Sequence, residues 1–200
     1  MAAILQSLER TLAAGVALLV VIIILAGVVS GSFVKLDYQY WVFVMLWLHV
    51  LSGVMWIGHL WYFNFVQIPS MPKIPDEQKP AITKVIAPTA LFWFRWGALS
   101  TVVTGLILAY LSGYIGNALK LGIGDGNHKF TAIGFGMWLG LIMAYNVWFI
   151  IWPNQQKALG MVEATPDEKK SAGRTAMLFS RTNTMLSIPM LYAMTSTHFY

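Results

Sequence analysis

The chain has 200 residues, 58% hydrophobic and only 10% charged, where a soluble domain carries about 25% charged residues. It has no cysteine, which excludes disulfides, thiolate metal sites and a covalent c-type haem, whose attachment needs C-x-x-C-H. The net charge of +5 sits between the apolar runs, a pattern that suits lipid headgroups and membrane topology and argues against nucleic acid as a partner.

The expected architecture is all-α: a polytopic membrane bundle of about five helices in a single domain, residues 1–200. Residues 1–10 read as a surface segment, and the following apolar run is too long for a cleavable signal. Helix one is expected over 11–31, uniformly apolar and uncharged. Lys35 and Asp37 then form a short connection rimmed by Tyr38, Tyr40 and Trp41, an aromatic belt of the kind found at the membrane surface. Helix two is expected over 41–68, ending near Pro69.

Five prolines, Pro69, Pro72, Pro75, Pro80 and Pro88, mark 69–88 as an exposed loop with one short helical turn after Pro75. Helix three is expected over 89–113 and contains Arg95, the one basic residue well inside a span. A Gly-rich connection follows, with Asp125-Gly126 as a turn signal. Helix four is expected over 130–152, stopped by Pro153, with Gly136 and Gly140 as a G-x-x-x-G packing pair. Thr165-Pro166-Asp167-Glu168 reads as an N-cap, Pro at the first helical position and acids in the first turn of a surface helix. Helix five is expected over 176–198, kinked near Pro189.

Helix two holds two histidines, His49 and His59, in a run without Lys, Arg, Asp or Glu. An ionisable side chain inside a membrane is costly and usually has a task there. Ten residues separate the two imidazoles, about 15 Å of helical rise. Loop charge supplies an orientation. Arg10, Lys73, Lys79, Lys84, Lys157, Lys169, Lys170, Arg174 and Arg181 fall on one side, against Lys35, Lys120 and Lys129 on the other. The richer side is cytoplasmic, which puts the N-terminus inside, the C-terminus outside and the protein in a bacterial inner membrane. His49, His128 and His198 then gather toward the outer face. His59, Arg95 and Asn146 lie deeper.

Haem iron takes imidazole nitrogen, and helical bundles hold cofactors between facing side chains. The outer layer therefore points to a b-type haem with His49 and His198 as axial ligands. His128 and His59 are further candidates, and Arg95 would neutralise a propionate or a substrate anion. Ser52 and Gly53 would leave room for the macrocycle. Hydrogen bonding between helices is the competing role for His49, and snorkelling for Arg95. Met185, Met190 and Met194 read as packing rather than as a copper site. There is no nucleophile–base triad, phosphate loop or acid in the spans.

The segment LHVLSGVMWIGHLWYF (48–63), with its H-x6-W-I-G pattern, resembles a helix in the membrane domain of the bacterial PuuD-type urate oxidases. FWFRWGALSTVVTG (92–105), LGLIMAYNVWFIIWPNQQK (139–157) and SRTNTMLSIPMLYAMTSTHFY (180–200) are similar to further segments of that domain, in order. The resemblance implies a haem-b membrane redox protein that passes electrons from a small reductant, urate among the candidates, to a cytochrome c. It carries His49 and His198 onto family histidines, whereas Gly134 and Thr182 stand where the family pattern has histidine. The family's own cytochrome c domain has no counterpart here, so the acceptor would be a separate protein. The alternative is a non-catalytic accessory subunit of a larger respiratory or photosynthetic membrane complex.

Overall fold

In the computed structural model, residues 2–124, 127–196 and 199 are described. The helices are α1 (Ala2–Leu5), α2 (Leu8–Ser30), α3 (Tyr38–Lys73), α4 (Lys79–Leu111), α5 (Ile115–Leu119), α6 (His128–Ala158) and α7 (Pro166–Thr195), with no strand among the described residues. Cα packing divides the chain into two compact units, residues 1–43 and 44–200.

The first unit is α1, α2 and the start of α3. Gly31 ends α2 in the left-handed region (φ 66°), and its N–H donates to the Val28 carbonyl. The Ser32 N–H donates to the Gly27 carbonyl at 3.1 Å, completing a Schellman cap. The chain then folds back so that the Phe33 ring lies where a Gly27 Cβ would be, which makes Gly27 the one buried residue of α2. Asp37 caps α3 by accepting from the Tyr40 N–H at 3.0 Å.

The second unit is built on α3, α4, α6 and α7. Its core joins Trp56, Leu60 and Phe63 of α3 to Leu91, Phe94 and Ala98 of α4, Met143, Val147 and Ile151 of α6, and Met190 of α7. Close approach sets the α3–α4 register. A Cβ on Gly97 would lie 3.1 Å from the Trp56 backbone nitrogen, and the Phe63 and Phe94 rings meet edge to face at 5.7 Å. The short α5 packs on α6 where Gly134 faces the Ala118 carbonyl; a Cβ there would collide with it.

Four helices, α2, α3, α4 and α6, are long and apolar enough to cross a membrane. The fifth expected span is the exception. The surface helix and helix five are one helix, α7, of 30 residues. Its stretch beyond Arg181, Thr182–Thr195, rises only about 21 Å, short of the roughly 30 Å hydrocarbon core.

The prolines do not end helices where expected. Helix two passes Pro69 and runs to Lys73; helix four passes Pro153 and runs to Ala158; α4 begins at Lys79, inside the expected 69–88 loop, and passes Pro80 and Pro88. The physical reason is shared. Segments Tyr62–Gln67, Ile82–Ile86 and Asn146–Ile151 are π-helical, and each ends two residues before a proline. In each case the residue before the proline donates its N–H five residues back: Ile68 to Phe63, Ala87 to Ile82, Trp152 to Val147. A proline ring collides with the carbonyl four residues back in an α-helix. Widening the turn by one residue moves that carbonyl aside. Pro189 lies inside α7, which runs unbroken.

Candidate functional site

His49 sits on the α3 face that meets α4. Its Nδ1 lies 2.9 Å from the Thr101 carbonyl oxygen, with Thr104 Oγ1 farther at 3.4 Å. A carbonyl only accepts, so Nδ1 carries the proton in the neutral ring and Nε2 keeps its lone pair. Space for the imidazole comes from Gly105: a Cβ there would come 2.7 Å from His49 Cε1 and 3.0 Å from Nδ1. Thr101 and Thr104 turn their hydroxyls back onto the Gly97 and Ser100 carbonyls at 2.7 and 2.6 Å, and the Thr104 hydroxyl also lies 3.2 Å from the Thr101 carbonyl that the ring uses. An imidazole with Nδ1–H on a backbone carbonyl and Nε2 free is the arrangement of a metal-binding histidine. It equally ties two helices together.

The other expected site residues are dispersed. His198 lies outside the described residues, as do Asp125 and Gly126 of the expected turn. His128 is the exposed first residue of α6. His59 turns back on its own helix, Nδ1 at 2.7 Å from the Met55 carbonyl. It lines a shallow apolar groove with Met55, Gly58, Tyr62, Ile86 and Ala90. The Arg95 guanidinium stacks over Trp152, 3.8 Å from the ring centroid, with Phe92 at 5.5 Å. This cation–π seat faces α6, so Arg95 and His59 are not brought together. A Cβ on Gly53 would lie 4.0 Å from Thr101 Cγ2, so Gly53 serves the α3–α4 contact. Met190 is core and Met185 exposed; Met194 packs over Gly136, 3.1–3.3 Å from where its Cβ would stand. No group of three or more His, Asp or Glu side chains suited to a metal occurs among the described residues.

A polar seam joins α3, α6 and α7, of which Asn146 alone was read from the sequence. Asn146 Nδ2 donates to Asn183 Oδ1 at 2.8 Å, and Asn183 Nδ2 donates to the Met143 carbonyl at 2.9 Å. Asn64 Nδ2 donates to Ser180 Oγ at 2.8 Å and to the Leu60 carbonyl at 2.9 Å. Trp61 Nε1 donates to Ser187 Oγ at 3.1 Å. Among the described residues, buried Asn64 Oδ1, Gln67 Oε1 and Trp56 Nε1 have no partner. The available signal was spacing: Ser180, Asn183 and Ser187 recur every three or four residues beside an apolar run.

Residues 126–200, that is α6 and α7 with their flanks, match the family whose model is described as urate oxidase N-terminal. The matched region includes the P-N-Q segment and the C-terminal segment; it does not reach His49. Neither the curated proteins nor the solved structures contain a match.

Proposed function

We propose that this protein is a haem-b-binding membrane oxidoreductase, akin to the membrane part of a urate oxidase, which passes electrons from a small reductant to a separate cytochrome c. One observation carries the reading. His49 is held between two apolar helices by the Thr101 carbonyl, with Gly105 clearing its ring and Nε2 left as the only nitrogen able to ligate. The family match over 126–200 supports the class of chemistry. A bound haem would supply one-electron transfer. Thr101 fixes the His49 tautomer and the orientation of its ring. The second ligand in this reading is His198, carried by the resemblance. The proposed placement is a bacterial inner membrane with the N-terminus cytoplasmic, the C-terminus periplasmic and α7 as a fifth, partly interfacial span.

The test is a dithionite-reduced minus oxidised visible spectrum of protein purified from haem-replete cells. The expected result is a b-type signal that His49→Ala abolishes and His59→Ala leaves intact. A wild type without haem would overturn the proposal. The accessory-subunit reading would then take its place. It is favoured by α2, most of whose large apolar side chains are exposed, Val16, Ile22, Leu25 and Val29 among them.

A further inference from the structure

α7 is amphipathic. Its buried face begins with small or polar residues, Ala172, Ala176, Ser180, Asn183 and Ser187, and ends with Met190 and Ala193. The exposed face is charged at one end, with Lys170, Arg174 and Arg181, and apolar toward the other, with Leu178, Met185, Ile188 and Tyr192. At about 100° per residue, these exposed positions fall within an arc of about 80°, opposite the buried ones. They form one stripe whose chemistry changes from cationic to apolar along its length.

The stripe cations are uncommitted. The one ion pair among the described residues is Lys79–Asp76. Asp167 shares the stripe a turn before Lys170 without pairing with it. The neighbouring basic residues are placed elsewhere: Lys169 Nζ lies 3.6 Å from where a Gly160 Cβ would stand, and Lys157 acts on the Glu168 carboxylate. From Arg181 to Tyr192 the rise is about 16 Å, close to half of the roughly 30 Å hydrocarbon thickness.

We propose that this stripe binds one anionic phospholipid, its phosphate held between Arg174 and Arg181 in the field of Lys170 and its acyl chains laid along Met185, Ile188 and Tyr192. Charge complementarity selects the headgroup, and the leaflet-length apolar run selects a lipid over a soluble anion. The stripe lies on α7 alone and includes neither His49 nor His198, so its lipid test is read separately from the haem test.

The test is native mass spectrometry of delipidated full-length protein in detergent, titrated with phosphatidylglycerol or phosphatidylcholine of identical acyl chains. A glycerol phosphate competition arm distinguishes the whole lipid from its headgroup. At roughly fivefold per basic residue near an anionic surface, phosphatidylglycerol is expected to bind about a hundredfold more tightly than phosphatidylcholine. The K170Q/R174Q/R181Q variant should lose that preference, whereas K157Q/K169Q should keep it. If the triple variant does not fold, R174Q alone should lose about fivefold. Equal binding of the two lipids, a preference that survives the stripe substitutions, or displacement by glycerol phosphate at equal concentration would each overturn the proposal.

Discussion

Gly105 is the most exacting small residue beside His49, because its missing side chain is the space the imidazole fills. Gly105→Ala is expected to displace the ring and to cost about 1–3 kcal/mol as an overpacked contact. Thermal unfolding in detergent measures that cost, and the haem spectrum should weaken in parallel with His49→Ala. Asn183 is the residue to test in the polar seam. Asn183→Ala strands the Asn146 amide donor and the Met143 carbonyl, so a loss of about 1–3 kcal/mol is expected, again by thermal unfolding. An unchanged midpoint would mean that the seam is hydrated and indifferent to its amides.

The helices themselves explain what was legible in the sequence. Apolar length located α2, α3, α4 and α6, with Arg95 the one charge well inside a span, because a bilayer demands long runs that carry few charges. Proline was the misleading signal. Pro69, Pro88 and Pro153 stop an α-helix by colliding with a carbonyl four residues back, yet here the preceding turn widens and the collision never occurs. Two of the widened turns are tied to α7 by side chains far along the chain, Asn64 to Ser180 and Asn146 to Asn183, which no local pattern discloses. His49 was visible as an unpaired ionisable group in an apolar run. Its partners, Thr101 and Gly105, lie more than fifty residues away and needed the α3–α4 register to be found. The histidine absent at Gly134 has a packing cause: α5 brings the Ala118 carbonyl against that backbone. Gly134→His should therefore fail to accumulate as a folded protein, read by size-exclusion in detergent.

The start of α7 was legible as an N-cap at Thr165 followed by Pro166, to which the structure adds a reciprocal capping box between Thr165 and Glu168. The Thr165 N–H and hydroxyl donate to the Glu168 carboxylate at 2.7 and 2.9 Å and hold its pKa below the ordinary carboxylate value. A lowered carboxylate pKa stabilises the fold above the ordinary value and loses that contribution as pH falls through the lowered one. Thermal unfolding of wild type and Glu168→Gln across acidic pH should show two curves that separate near neutrality and converge in acid.

For the whole molecule, the absence of cysteine makes orientation directly measurable. Single cysteines at Glu77, Gly113 and Glu163, positions in the connections after α3, α4 and α6, should report it by impermeant thiol labelling. Positions 77 and 163 are expected to react only from the cytoplasmic side and position 113 only from outside. The reverse pattern would invert the topology that loop charge predicts.

The widened turn in α3 also sets a phase. One additional residue rotates everything after it by about 100° relative to an unbroken α-helix. Before the turn, His49 and Trp56 mesh with α4 and Trp61 with α7; within it, Phe63 still meets Phe94 of α4 while Asn64 reaches Ser180 of α7. One helix thus serves two neighbours at once, and the widened turn holds both engagements in a single register. Deleting one residue from Tyr62–Gln67 would barely change its length but would rotate whatever follows the deletion away from its partners. A change of count would therefore disturb this helix without any change of chemistry.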